Sequence, residues 1–213
     1  MIESETRLRV ARGIAKSETK ASIKVFETLK QRGHPEAPPP VISDGWGGID
    51  DAMIEVYGKV PPYKGRGRPP TKKRPQPGWQ YLQMVKERDE RGRVIGTKLR
   101  VIFGEEDEVM GKLGGSTAYI ERTHLTMRHM NGRLVRKGLG FSKLVRMHEA
   151  QAVWGDAVYN LSRFVKTLRV EVAGEGSRRW QGRTPAMAAG LADHRWTIKE
   201  LLTTMPLPKN NNT

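Results

Sequence analysis

The sequence predicts a mixed α/β chain, and three patterns predict it. Apolar residues recur at helical spacing over 5–32 and again over about 143–169. A short apolar run, "VIS", stops at Asp44 between a proline-rich connector and Gly45-Trp46. A third stretch reads as two strands around the turn "RDERG", with Thr97, Leu99, Val101 and Phe103 alternating along the second.

The elements follow in order. Over 5–32, Leu8, Ala11, Ile14 and Ala15 form one stripe, and Val25, Phe26 and Leu29 continue an apolar face. Gly33 is the expected stop, with Pro35 beyond it. "HPEAPPP" is an extended connector, since each proline turns the residue before it away from helix. "VIS" is then a short buried strand ending at Asp44, and "GIDDAMIEVY" (48–57) a short helix with acids in its first turn. After the basic stretch 60–78, "WQYLQMVKE" and "RVIGTKLRVIF" form a hairpin, and "EEDEVMGKL" forms an acidic helix. "GGSTAYIERTHLTMRHMNGRLVRKG" predicts a helix with Ser116 or Thr117 as N-cap. The pattern over 143–169 puts Val153, Trp154, Val158, Leu161, Phe164, Val165 and Leu168 on one apolar face. "RTPAMAAGLADHRWTIKELL" gives two short helices, the first capped by Thr184 with Pro185 and the second by Asp193. "PKNNNT" is expected to fray.

Composition narrows the function. The 213 residues carry 38 Lys plus Arg against 23 Asp plus Glu, a net charge of +15 and a pI near 10.3, which favour a polyanionic partner, nucleic acid first. Charge alone fits equally a very soluble basic protein. There is no cysteine, which excludes disulfides and thiolate-held zinc. No apolar run is long enough to span a membrane, and "MIESETRLRV" lacks the apolar core of a signal peptide, so a cytoplasmic, nucleoid-associated location is expected.

Two carboxylates stand out. Asp44 ends a strand against a glycine. Glu121 is the one acid of a helix otherwise rich in Arg and His, with His124, Leu125 and Arg128 sharing its face at +3, +4 and +7. Paired, they would suit a magnesium ion, which prefers carboxylate oxygens and keeps waters for phosphate; two such ions can drive phosphoryl transfer. Apart, they are a turn-forming Asp and an ion-paired Glu. Both readings stand on spacing alone.

The motifs carry a resemblance. Asp44-Gly45-Trp46, Ile120-Glu121-Arg122, Leu125 to Arg128 and Phe141-Ser142-Lys143 resemble, in order and chemistry, the catalytic region of DDE transposases of the insertion-sequence-one family. "RTPAMAAGL" (183–191) is similar to a tail of such proteins. The likeness covers roughly residues 5–59 and 115–165. It implies a ribonuclease-H-like α/β fold, partial at its N-terminal end. Three acids there bind Mg2+ (or Mn2+), water cleaves a DNA strand, and the freed 3′ hydroxyl attacks target DNA. Asp44 corresponds to the second acid and Glu121 to the third. Arg122 and Arg128 would contact DNA, and His124 would lie close by. Transposon ends and target DNA are the implied partners, with a homo-oligomer or an upstream transposase segment besides.

Two departures bear on activity. No aspartate precedes Asp44, so the first acid is missing, and with it the family's N-terminal DNA-binding segment. The expectation is a truncated C-terminal portion, weak or inactive alone. Second, 76 residues separate Asp44 from Glu121, more than compact members have. The expected organisation is therefore 1–59, the first part of the ribonuclease-H-like domain; 60–114, an insertion of basic linker, hairpin and short helix; 115–170, catalytic and following helices; and 171–213, a basic tail.

The linker "VPPYKGRGRPPTKKRPQPG" holds six basic residues, six prolines and no acid, and is expected to be flexible alone. Lys64, Arg66, Arg68, Lys72, Lys73 and Arg74 are its candidate DNA contacts. Arg66-Gly67-Arg68-Pro69 resembles the core of an AT-hook. An extended Arg-Gly-Arg can lie in a narrow minor groove, where negative potential attracts guanidinium groups. The alternative is a solvated loop. The five tryptophans are too scattered to form a stacking platform and read as core or interface residues, and Arg178, Arg179 and Arg183 mark a second basic loop. The alternative to transposition is a non-enzymatic basic DNA-binding protein derived from a transposase. An RNA-binding protein is a third reading without a motif.

Overall fold

The computed structural model describes residues 1–204 apart from 66, 115–116, 136 and 173–178. Ser116, Arg66, Arg178 and the tail "PKNNNT" therefore lie outside the described residues. The protein is mixed α/β and divides into two compact units. The first comprises Met1–Glu5 and Val10–Arg122; the second comprises Thr6–Arg9 and the chain from Thr123 onward.

The first unit is built on a three-stranded sheet of order β1-β2-β3: β1 (Val41–Asp44), β2 (Tyr81–Arg88) and β3 (Val94–Phe103). β1 runs parallel to β2, with Val41 opposite Tyr81 and Asp44 opposite Met84. β2 and β3 are antiparallel around a turn in which the Asp89 carboxylate accepts the N–H groups of Arg91 and Arg93 and Gly92 takes a positive φ of 75°. The hairpin supplies two of the three strands, with β2 central and β3 at the edge, and Tyr81 and Leu82 of β2 have no solvent exposure.

Alternation along the strands sorts the two faces. Val41, Ser43, Tyr81 and Gln83 point to one, where α1 (Glu18–Arg32) and α2 (Ile49–Tyr57) bury Phe26, Leu29, Ala52, Met53 and Tyr57. Rings of Phe26, Tyr57, Trp79 and Phe103 meet edge to face in a row, with centroids 6.5, 6.4 and 5.6 Å apart. Leu82 points to the other face, which α3 (Glu106–Leu113) covers with Val109 fully buried. A register shift between Tyr81 and Leu82 leaves Ile102 without a partner. Phe103 consequently joins Tyr81 and Trp79 instead of keeping to the face of Thr97, Leu99 and Val101.

The helix expected over 5–32 is shorter. α1 begins after Ser17, whose hydroxyl accepts the Lys20 N–H at 3.3 Å, and ends at Gly33 as expected. Residues 1–17 are irregular. A Cβ at Gly13 would fall 1.8 Å from the Ala21 carbonyl oxygen, so the chain doubles back against α1 where only glycine fits.

α4 (Ala118–Met130) contributes its start to the first unit and its remainder, from Thr123, to the second. It stops before Asn131, whose side chain caps a 3₁₀ turn at Gly132–Leu134, so the Asn-Gly pair ends the helix expected to run on.

In the second unit α5 (Val145–Ala157) passes into a π-turn, Val158–Ser162. The pattern expected to run to 169 breaks there because Asn160 serves the N-terminal segment. Its amide accepts the Arg9 N–H and donates to the Arg9 carbonyl, both at 3.0 Å. Arg9 lies over the Tyr159 ring at 3.8 Å and pairs with Asp156 at 3.3 Å. Burial pulls its guanidinium pKa down, and Asp156 opposes that pull. Phe164, expected on the apolar face, is 48% exposed. A two-stranded ribbon follows, β4 (Val170–Glu171) with β5 (Trp180–Gln181), then α6 (Pro185–Ala188) and α7 (Ile198–Thr204). Thr184 caps α6 through Met187 N–H, as expected. α7 is capped by Thr197 and Glu200 in a reciprocal box rather than by Asp193, because "TIKE" places the glutamate three residues after the threonine.

Candidate functional site

Asp44 closes β1 and is exposed. One carboxylate oxygen accepts the Trp46 N–H at 3.4 Å, so the side chain also shapes the turn that follows it. Gly45 has no positive φ; a Cβ there would stand 3.3 Å from a Val85 methyl, so glycine lets the chain hug β2 beyond the strand end. At Gly48 a Cβ would lie 2.5–3.0 Å from the Trp46 ring, which occupies the space glycine leaves. The run Asp-Gly-Trp-Gly-Gly is a folded collar that fixes where Asp44 stands.

Beneath it lies a buried polar network. Ser43 Oγ and Tyr81 Oη are 2.8 Å apart. Gln83 Nε2 donates to Tyr81 Oη at 2.7 Å and to the Trp46 carbonyl at 3.0 Å. Arg100 Nε donates to Gln83 Oε1 at 3.0 Å. Burial pushes the Tyr81 hydroxyl pKa up, and the bonds from Ser43 and Gln83 pull the other way.

Glu121 sits in the first turn of α4, half-exposed, with Oε1 3.0 Å from Lys86 Nζ. Met84 faces Asp44 across the ladder, and Lys86 is two positions further on the same side of β2. Register and ion pair therefore put Asp44, Lys86 and Glu121 on one face of the sheet. Lys86 went unnoticed in the sequence. Its only signal was an even offset from a residue whose partner strand lay some 40 positions away, and only the pairing reveals that.

A divalent ion here would displace an ammonium from one of the two carboxylates. Magnesium needs several oxygen ligands at near-octahedral angles. The face offers two carboxylates, with an ammonium holding one of them. Among the described residues no group of three His, Asp or Glu side chains could hold a metal.

The basic stretch is more ordered than composition suggests. Lys59 and Arg74 pair through two backbone hydrogen bonds, 3.1 and 2.9 Å, which pinch 60–73 into a loop. Tyr63 Oη donates to the Gly67 carbonyl at 3.0 Å, and Gly65 and Gly67 take φ of 77° and 80°. Both glycines sit in left-handed backbone, and Arg66 between them lies outside the described residues. Lys64, Arg68, Lys72 and Arg74 are exposed, while Lys73 is ion-paired with Glu55 at 2.7 Å. Arg122 and His124 are exposed on α4, and Arg128 belongs to the second unit.

Among the described residues no helix is long and apolar enough to cross a membrane. No protein-family model, curated protein or solved structure matches the chain.

Proposed function

We propose that the chain handles DNA as part of a DDE-type transposase, with a ribonuclease-H-like sheet whose Asp44 and Glu121 are the candidate catalytic pair. The supporting observation is the register that sets Asp44 and Lys86 on one side of β1 and β2, with Glu121 paired to Lys86. The two acids have 76 residues between them, one acid at a strand end and one in the first turn of a helix. The net charge of +15 and the acid-free pinched loop supply a surface for phosphates.

The Lys86–Glu121 ion pair favours a second reading, a non-enzymatic DNA-binding protein of the same descent. An ammonium on Glu121 competes with any divalent cation, and two carboxylates are fewer than strand transfer needs.

One experiment separates the two. Labelled duplex DNA is incubated with Mg2+ or Mn2+ and wild-type chain, Asp44→Asn or Glu121→Gln. Nicking abolished by both substitutions assigns catalysis to the pair. Salt-dependent binding that survives in both variants, without nicking in any, assigns the chain to DNA binding alone. Absence of both nicking and salt-dependent binding overturns either reading.

A further inference from the structure

The ribbon of the second unit carries an exposed pair of aromatic rings dressed with guanidinium groups. Trp180 is 41% exposed, with Arg169 Cζ 4.3 Å and Arg179 Cζ 5.5 Å from its ring centroid. Phe164 is 48% exposed, with Arg195 Cζ 5.0 Å from its centroid. What sets these two rings apart from other exposed apolar side chains is the guanidinium group that stands over each.

The two rings share a side. Val165 N–H donates to the Arg183 carbonyl at 3.1 Å, so the stretch around Phe164 runs beside the continuation of β5. The Cβ that Gly182 lacks would meet the Phe164 ring at 3.1–3.4 Å, so that ring occupies the direction a side chain at 182 would take. Trp180, two residues earlier, points the same way. Strand geometry spaces the two positions by about 6.6 Å. That is nearly twice the roughly 3.4 Å per nucleotide of a duplex strand.

We infer that Trp180 and Phe164, with Arg169, Arg179 and Arg195, form a stacking strip for single-stranded nucleic acid. Bases lie on the rings or on the guanidinium planes above them, and the arginines meet the phosphates. The spacing suits a strand whose bases are splayed apart, and a duplex keeps its bases stacked on one another and closed to the rings. Among the described residues Glu171, opposite Trp180 in the ladder, faces the strip and holds Arg179 Nε at 2.7 Å. That bond leaves the remaining N–H donors of Arg179 for phosphate. Arg195 is steadied by donating Nε–H to the Ser162 carbonyl at 2.8 Å. The strip does not depend on Asp44 or Glu121.

The test is fluorescence anisotropy with the full chain and labelled oligo(dT), oligo(U) and a duplex of matched length. Trp180→Ala and Phe164→Ala should each weaken oligo(dT) binding about five- to hundredfold, the range of one lost base–aromatic stack. Trp180→Phe should restore most of the affinity. The salt dependence should stay unchanged in these variants, because no phosphate contact is lost. Arg169→Gln should weaken binding and flatten that dependence. Equal affinity for oligo(U) assigns the strip to single strands of either sugar, and preference for oligo(dT) to DNA. Oligo(dT) affinity within about twofold of wild type in both alanine variants, with unchanged circular dichroism, overturns the proposal. So does an equal loss on duplex. Should an alanine variant unfold, Trp180→Phe decides on its own. Quenching of tryptophan emission by oligo(dT) must fall in it, and unchanged quenching would sink the strip.

Discussion

His194 is exposed, yet both ring nitrogens are engaged, Nδ1 at 2.5 Å from Asp193 and Nε2 at 3.0 Å from Glu200. The Asp193 bond, then Glu200, raises its pKa above the ordinary 6.5. Glu200 is held down to about 2, first by the Thr197 N–H, then by the Thr197 hydroxyl and His194. A raised histidine contributes fully below 6.5 and loses that contribution as pH rises through its folded value. A depressed glutamate contributes above its ordinary 4.5 and loses it as pH falls toward 2. The cap of α7 should therefore hold best between about 4.5 and 6.5. Amide hydrogen exchange of α7, corrected for intrinsic rate, should show a protection maximum there. His194→Gln should flatten the alkaline limb, and Glu200→Gln both limbs; protection indifferent to pH in wild type would reject the linkage. The "TIKE" box is legible in the sequence as the cap of α7, whereas Asp193 engages His194 instead. The doubly engaged imidazole was not legible, since it needs a bend that brings residues 193 and 200 to opposite sides of one ring.

At the scale of elements, β1, β2, β3 and several helix ends were legible because their signals are local, whereas the β4–β5 ribbon read as a basic loop. Gly33 stops α1, Asp89 and Gly92 turn the hairpin, and Thr184 with Pro185 opens α6. Failures occurred where a distant partner decided the outcome. Gly13 meets Ala21, Asn160 serves Arg9, and the unpaired Ile102 moves Phe103 across the sheet. Gln83 is the extreme case, polar and 1% exposed in the central strand. Alternation gives no hint that it ties β2 to the Trp46 carbonyl, Tyr81 and Arg100. Gln83→Leu removes that tie and strands the Tyr81 hydroxyl with Ser43 as its remaining partner. It should cost about 1–3 kcal/mol in urea unfolding, and it should also loosen the Asp44 collar. That loosening would appear as faster amide exchange at Trp46 while α3 keeps its protection. A loss confined to global stability would mean that the network supports the core alone.

For the molecule as a whole, the α/β class was legible and the division into units was not. Proline and arginine content marks 60–78 as a break, whereas the actual boundary falls inside α4, where composition does not change. Of the candidate site, Asp44 and Glu121 were singled out by residue type, but their shared face depends on β1 pairing with β2 across the basic stretch. That pairing gives the pinched loop a further property. Its ends are fastened to each other at Lys59 and Arg74, with α2 leading into it and β2 of the central sheet following it. Covalent continuity through 60–73 is therefore dispensable once the chain has folded. Trypsin, which cuts after Lys and Arg unless proline follows, should clip at Lys64 or Lys72 first. The two pieces should co-elute as one particle on size exclusion and part only in denaturant; separation in native buffer would show that the neck does not hold. A chain that survives such a cut also tolerates new termini there, so the loop doubles as a natural seam for circular permutation or split-protein reassembly.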